Sequence, residues 1–177
     1  PKAGEISLAH NGVLFLDEVT EFPRSVLETL RQPLEDKKIS ITRADYRVEM
    51  PANMILIIAS NPCPCGNLFE NRCSCSMTQI QRYQHKVSGP LLDRIDLYLE
   101  IKKLKKEELS SFEGGESSKS IRERVKLARE RQFKRFGSYK VNGNMTPKDI
   151  KNYCELDDKS RKILIDSIDL FGLSGRS

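Results

Sequence analysis

The sequence has 177 residues, of which 38% are hydrophobic and 31% charged, with a net charge of +5 and a pI near 9.0. That suits a soluble globular chain of one mid-sized domain or two small ones, and its mild basicity permits a nucleic-acid partner without demanding one. No apolar run approaches the roughly 18–20 residues that a bilayer span needs, and Pro1-Lys2-Ala3-Gly4-Glu5 does not read as a signal peptide; a cytoplasmic protein with no membrane partner is expected.

In chain order, Gly12 to Leu16 is a short apolar run that predicts a buried strand and ends in Asp17-Glu18. Pro23 opens a helix, where a missing amide donor costs nothing, and Val26, Leu27, Leu30 and Leu34 give that helix an apolar face. Lys38 to Met50 reads as strand, turn, strand, with Ala44-Asp45 at the turn. Asn53 to Ser60 is apolar in its middle and predicts a second buried strand, parallel to the first. A cysteine-bearing loop covers 62–76, and a polar helix follows from Thr78 to Val87. Ser88-Gly89-Pro90 breaks that helix, a short turn runs from Leu91 to Arg94, and Asp96 to Ile101 alternates like a third strand. Lys102 to Glu108 is a charge run, and 114–118 is a flexible Gly/Ser segment. Beyond it the pattern is helical. A strongly basic helix is expected over Ser120–Phe136, another from the cap-and-proline signal Thr146-Pro147, and a third over Asp157–Phe171.

Three places carry chemistry. A strand that ends in adjacent carboxylates is the Walker B pattern. It presents Asp17 and Glu18 at the carboxyl edge of a sheet, where open α/β sheets bind ligands. Asp17 would hold Mg²⁺ and Glu18 would activate a water, unless the pair is only a solvated acidic turn. Asn61, directly after the second strand, would lie near the same edge and orient the water, unless Asn61-Pro62 is simply a turn initiator. Arg94, after a short apolar turn, would point outward to a neighbouring subunit's nucleotide as an arginine finger, a device that contributes about 10³–10⁵ in rate. The plainer alternative is a surface ion pair with Asp93 or Asp96.

Together, Gly4 to Glu18, Asn61-Pro62-Cys63-Pro64-Cys65-Gly66 and Ser88 to Leu97 resemble the magnesium-chelatase-like AAA+ ATPase family, in its bacterial competence-protein branch of the ComM type. The resemblance covers nearly the whole chain. It implies an α/β fold: part of an AAA+ P-loop core over 1–103, a linker over 104–118 and a small all-helical lid over 119–177. It implies ATP and Mg²⁺ as cofactors and a homo-oligomeric ring, a hexamer, that remodels DNA. It assigns Asp17 and Glu18 to Walker B, Asn61 to sensor 1, Arg94 to the finger and Arg176 to the lid's phosphate-facing arginine. The alternative within the family is a chelatase-type or protein-remodelling subunit that does not act on DNA. The chain has no initiating Met and no Gly-rich phosphate loop with its Lys, and it stops one residue after Arg176. A piece of a longer chain, inactive alone, is therefore expected.

Cys63, Cys65, Cys73 and Cys75 fall inside thirteen residues as two Cys-x-Cys pairs. Four thiolates can complete a tetrahedral Zn²⁺ site, although Cys-x-Cys has a tighter bite than the usual Cys-x-x-Cys. Reduced empty thiols are the next reading and disulfides the last. Cys154, alone in a helical stretch, reads as a packing residue. Near the hairpin tip, Arg43, Tyr46 and Arg47 offer guanidinium groups for phosphates and a ring for base stacking, in competition with an ordinary solvated turn. The basic helix reads mainly as a solvated face, and His10 and His85 as isolated histidines.

Overall fold

The structure is a computed structural model that describes residues 3–43, 46–69, 72–101 and 115–172. The chain divides into two compact units, one holding Pro1–Tyr98 and the other Leu99–Leu173. The expected turn at Ala44-Asp45, the charge run after Ile101 and Arg176 all lie outside the described residues.

In the first unit a short helix α1 (Glu5–Leu8) leads into β1 (Val13–Leu16). A 3-10 turn over Val19–Glu21 follows, then α2 (Arg24–Glu28) and α3 (Arg31–Asp36). The single helix expected after Pro23 is thus two. Pro33 explains the break: it has no amide to donate to the Thr29 carbonyl four residues back, and its ring would collide with that carbonyl in a continuous helix. Leu27 and Leu30 are buried as expected, while Val26 faces solvent.

The hairpin forms from β2 (Lys38–Arg43) and β3 (Tyr46–Pro51), antiparallel, with Arg43 opposite Tyr46 and Lys38 opposite Pro51. Its alternation sorts the faces. Ile39, Ile41, Val48 and Met50 are half-buried, whereas Thr42, Arg47 and Glu49 are exposed.

The second expected strand is β4 (Ile55–Ile58), and it pairs parallel with β1, Val13 opposite Ile55 and Leu16 opposite Ile58. Neither strand is buried on both faces, contrary to expectation. Leu14, Leu16, Leu56 and Ile58 pack onto the core formed by Val19, Leu27, Leu30, Met54, Val87 and Leu91. Val13, Phe15, Ile55 and Ile57 stand on the opposite, exposed face. A continuous apolar run calls for cover on both sides, and in this two-stranded sheet only one side has it.

Helix α4 (Met77–Gln84) begins at a reciprocal capping box, in which Ser76 Oγ accepts from the Gln79 amide and Gln79 Oε1 from the Ser76 amide. α5 (Gly89–Leu92) follows, with Pro90 in its first turn. The third expected strand is absent among the described residues. Leu97, Leu99 and Ile101 alternate correctly, but each is at least 80% exposed, and no neighbouring backbone pairs with them. Tyr98 instead donates its hydroxyl to the Leu92 carbonyl at 2.7 Å. Alternation makes a strand only where another edge is available to satisfy its amides and carbonyls.

The second unit is helical: α6 (Ser118–Phe136), α7 (Pro147–Tyr153) and α8 (Asp158–Phe171). Each of the three expected helices begins at a side-chain cap, from Ser117, Thr146 and Asp157 respectively. Among its described residues none is fully buried, and Cys154 is exposed rather than packed. Ile163, Leu164, Ile168 and Phe171 share a stripe of α8 as the sequence predicts, yet all four are exposed. What closes the unit is a set of local contacts. Phe136 meets Tyr153 edge-on at 5.3 Å, Phe133 meets Tyr139 at 5.2 Å, and Lys140 pairs with Asp149.

Hydrogen bonds from the Lys140 ammonium, then from the Thr146 hydroxyl and amide, hold the Asp149 carboxyl well below the ordinary carboxylate range. A carboxylate whose folded pKa is depressed contributes stability above its unfolded value of about 3.9, and loses it as pH falls toward the folded value. Asp149→Asn should therefore melt earlier than the parent at pH 7, with the gap narrowing as pH drops below about 4. Helical ellipticity followed through melts at pH 7 and pH 3 checks this, and a gap of constant size would refute it.

Candidate functional site

The parallel ladder between β1 and β4 runs past the strands themselves. Ala59 donates its amide to Leu16 O at 2.9 Å, and Val19 donates to Ala59 O at 3.0 Å. The chain after β1 is therefore stitched to the chain after β4 across Asp17 and Glu18. The other end of the sheet is pinned by Asn11, whose amide donates to Asn53 O at 2.6 Å. There His10, which sequence alone left without a role, accepts the Asn53 amide at its Nδ1 at 3.1 Å.

Asp17 and Glu18 are both exposed at this edge. One Asp17 carboxylate oxygen accepts the Glu18 amide at 2.9 Å. Glu18 itself has φ 49° and ψ 46°, a left-handed conformation that a residue with a Cβ adopts at a cost of about 1–2 kcal/mol. The twist sends the backbone directly into the 3-10 turn, whose Val19 and Thr20 are buried. Strain thus sits at the candidate general base, and no sequence signal announced it.

A cleft of about 510 Å³ opens beside Glu18, lined by Glu18, Glu21, Asn61, Pro64 and, from the segment beginning with α4, Gln79, Arg82, Tyr83 and Lys86. It joins Glu18 to Asn61, as the sequence expects of two neighbouring parallel strands. Asp17 and Arg94 do not line it. The surprise is the opposite wall. Gln79, Arg82 and Tyr83 lie at i, i+3 and i+4 on one face of α4, and Lys86, just past its end, continues that spacing, which is visible in the sequence. Lys86 lies 3.6 Å from Glu21 and over the Tyr83 ring. Carboxylates on one wall and cations on the other suit a ligand that carries both negative charge and a bound cation. Exposed acid oxygens at Asp17 and Glu18 are the hard donors that Mg²⁺ accepts while keeping most of its water.

Arg94 is turned inward. Its side chain is only 11% exposed; one guanidinium nitrogen donates to Glu35 at 2.6 Å and another to the Pro90 carbonyl, while Nε is buried without a partner. The expected partners Asp93 and Asp96 are not used; Glu35, 59 residues away, is. In the hairpin, Arg47 is exposed but its guanidinium donates to Glu49 at 2.8 Å. Glu49 also takes the Lys38 ammonium at 3.0 Å, and these cations, Lys38 foremost, hold its carboxyl below the usual range. The backbones of Arg43 and Tyr46 face each other as the last described pair of the β2–β3 ladder.

The cysteine loop lies directly beyond Asn61. Cys63, Cys65, Cys73 and Cys75 are free thiols gathered so that their sulfurs all fall within 4.8 Å of one another, an arrangement compatible with zinc. Backbone amides of Asn67 and Ser74, then the Cys63 thiol, bring the Cys65 thiol down to about 6. For Cys75 the Cys65 backbone amide acts in the same direction, but burial and the neighbouring Cys65 and Cys63 sulfurs outweigh it and push the thiol up to about 12. One acidified thiol among raised ones is what a cluster does when its sulfurs share too little room for several negative charges.

The sequence profile of magnesium chelatase subunit ChlI matches residues 1–109, and that of the ChlI C-terminal region matches 115–177. The chain belongs to the magnesium chelatase ChlI family. It is 44% identical over its whole length to competence protein ComM of Haemophilus influenzae and 43% identical to the protein YifB of Escherichia coli, in each case covering 35% of the relative. A stretch of 97 residues, 55% of the chain, is 27% identical to DNA replication licensing factor mcm-6 of Caenorhabditis briggsae, covering 11% of it. The chain thus spans about a third of the length of the relatives it matches over its full extent. No described helix is long and apolar enough to cross a membrane.

The left-handed backbone at Glu18 makes a sharp prediction. Glu18→Gly, which relaxes the turn, should be more stable than Glu18→Gln by about 1 kcal/mol, although both remove the carboxylate. Urea unfolding of the two variants decides it; equal midpoints would mean that the turn holds no strain.

Proposed function

We propose that this chain is the Walker B, sensor and lid portion of an AAA+ ATPase whose subunits form a ring, a hexamer, that couples ATP hydrolysis to DNA remodelling. The observation that carries the reading is the shared cleft of Glu18 and Asn61 at the carboxyl ends of two paired parallel strands. Bound Mg²⁺ would supply charge neutralisation for the phosphates. Asp17 holds that ion, Glu18 takes the proton from the attacking water, and the Asn61 amide orients the water. Arg82 and Lys86, on the facing wall, offer positive charge to phosphate oxygens. Arg94 acts on a neighbouring subunit's nucleotide after leaving Glu35, so ring assembly has an intramolecular ion pair to displace. Residues 1–103 form the core portion, 104–118 the linker and 119–177 the lid, with Arg176 as its phosphate-facing arginine. The 177-residue chain alone does not hydrolyse ATP, because it holds no Gly-rich phosphate loop with a lysine.

The DNA half of the reading draws on similarity to a competence protein and to a DNA replication licensing factor, and on the net charge of +5. Arg43, Tyr46 and Arg47 are the candidate contacts. A second reading, a chelatase-type or protein-remodelling subunit without DNA, is favoured by one observation: Arg47 is already engaged by Glu49, which reduces its charge for phosphates.

ATP hydrolysis by the intact protein, with and without single-stranded and branched DNA, separates these. We expect stimulation by DNA, and Glu18→Gln should lower the rate by at least the 10²-fold that a general base contributes. Unaltered hydrolysis by Glu18→Gln would remove Glu18 from the chemistry. A DNA-indifferent rate that still depends on Glu18 would select the second reading. Charge reversal at both Arg43 and Arg47 should abolish DNA stimulation while the basal rate stays put; stimulation that survives reversal places the DNA contacts elsewhere.

A further inference from the structure

The four cysteines are arranged more strictly than a reduced loop requires. Cys63 lies 3.5 Å from Cys65 and 3.8 Å from Cys73, sulfur to sulfur, and Cys65 lies 3.7 Å from Cys73. Four sulfurs at about 2.3 Å from a central zinc stand at tetrahedron edges of about 3.8 Å. These three separations match those edges and far exceed the roughly 2.05 Å of a disulfide. Cys63 is fully buried and the other three are half-buried, so the cluster is enclosed, without the open position that a catalytic metal needs.

The loop is shaped around the sulfurs. Gly66, at φ +75°, turns the chain so that its amide donates to Cys63 O at 3.0 Å, and the Asn67 side chain donates to Cys65 O at 3.0 Å. Backbone amides of Asn67 and Ser74 approach the Cys65 sulfur, the kind of outer contact that supports a metal-bound thiolate. The same loop touches the cleft. A side chain at Gly66 would meet Asn61 Oδ1 at 3.8 Å, so the turn backs directly onto that amide. On the other side, Gln84 of α4 donates to Pro62 O at 3.1 Å. The loop therefore sits between Asn61 and the basic wall of the cleft.

We infer that Cys63, Cys65, Cys73 and Cys75 bind one structural Zn²⁺, and that this ion clamps the loop so that Asn61 is held at the cleft. Without it, residues 62–76 have only scattered hydrogen bonds and a single fully buried side chain, Cys63, to fix them among the described residues. The zinc site stands whether or not the cleft hydrolyses ATP, whereas the purpose of the clamp rests on that reading of the cleft.

The test uses intact protein, purified under reducing conditions without chelator and then offered Zn²⁺ and desalted. Elemental analysis should return one zinc per chain. Cys73→Ser/Cys75→Ser should return none, and Cys154→Ser should keep the full complement. Co²⁺ offered instead should give intense sulfur-to-metal absorption. Zinc near zero in the parent after reconstitution, with four titratable thiols in the loop, overturns the site. Hydrogen exchange then reads the clamp. Stripping the zinc should speed exchange over 61–69 while β1 and β4 keep their protection. Zinc bound at full occupancy with exchange over 61–69 unchanged on its removal would overturn the clamp.

Discussion

Everything proposed for the cleft depends on one pairing, the parallel register of Val13–Leu16 against Ile55–Ile58. Parallel strands end side by side, so the residues that follow each are delivered to one edge without any further instruction. A slip of β4 by one residue would send Leu56 and Ile58 to the open face and pull Ile55 and Ile57 inward, while Leu14 and Leu16 stayed on the core. The register is fixed at both ends by the bond from the Asn11 amide to the Asn53 carbonyl and by the Leu16–Ala59–Val19 stitches. Glu18, with its left-handed backbone, lies between the two stitched points Leu16 and Val19.

The sheet's two faces are treated unequally. The inner face packs on Val19, Leu27, Leu30, Met54, Val87 and Leu91, contributed by segments on both sides of the cysteine loop. Val87 and Leu91 matter here because they anchor the far side of the cleft to the same core as β1. The cation-bearing face of α4 is thereby tied to the acid-bearing edge of the sheet through buried side chains, and the cysteine loop crosses between them. In the helical unit no such core exists among the described residues. Its order rests on caps, two edge-on aromatic pairs and the Lys140–Asp149 ion pair, of which only the Phe136–Tyr153 pair reaches from one long helix end to the next helix. Local interactions of that kind set helix ends well and set helix packing poorly.

That difference tracks what the sequence made legible. The cap at Thr146, the hairpin and the apolar runs of β1 and β4 are written in short-range chemistry that a few residues display, and the caps at Ser76, Ser117 and Asp157 use the same chemistry without having been expected. The four-cysteine cluster was equally plain, because its thiols come from thirteen consecutive positions. Misreadings came where a local pattern met a non-local condition. Leu97 to Ile101 alternates, but a strand needs an edge to join. The apolar runs at β1 and β4 signalled burial on two faces, and only one is covered. The leucine spacing runs on across a Pro33 that is by itself sufficient to break the helix.

Arg94 shows the same limit at the level of charge. Its sequence neighbours Asp93 and Asp96 are the obvious partners, and the guanidinium instead crosses to Glu35 on α3, which no local window contains. Arg94 is 11% exposed while Glu35 is 48% exposed, so the guanidinium is taken from water and needs its partner although the carboxylate stays wet, and Nε has no partner. An arginine held this way is already partly desolvated and fixed in place, so moving it onto a phosphate would exchange one anion for another with little further desolvation. A fully solvated arginine would give up its whole hydration shell in the same move. If Arg94 serves a neighbouring subunit, Glu35 is therefore the group that keeps it ready, and removing that carboxylate would leave a half-buried cation without an anion rather than set a finger free.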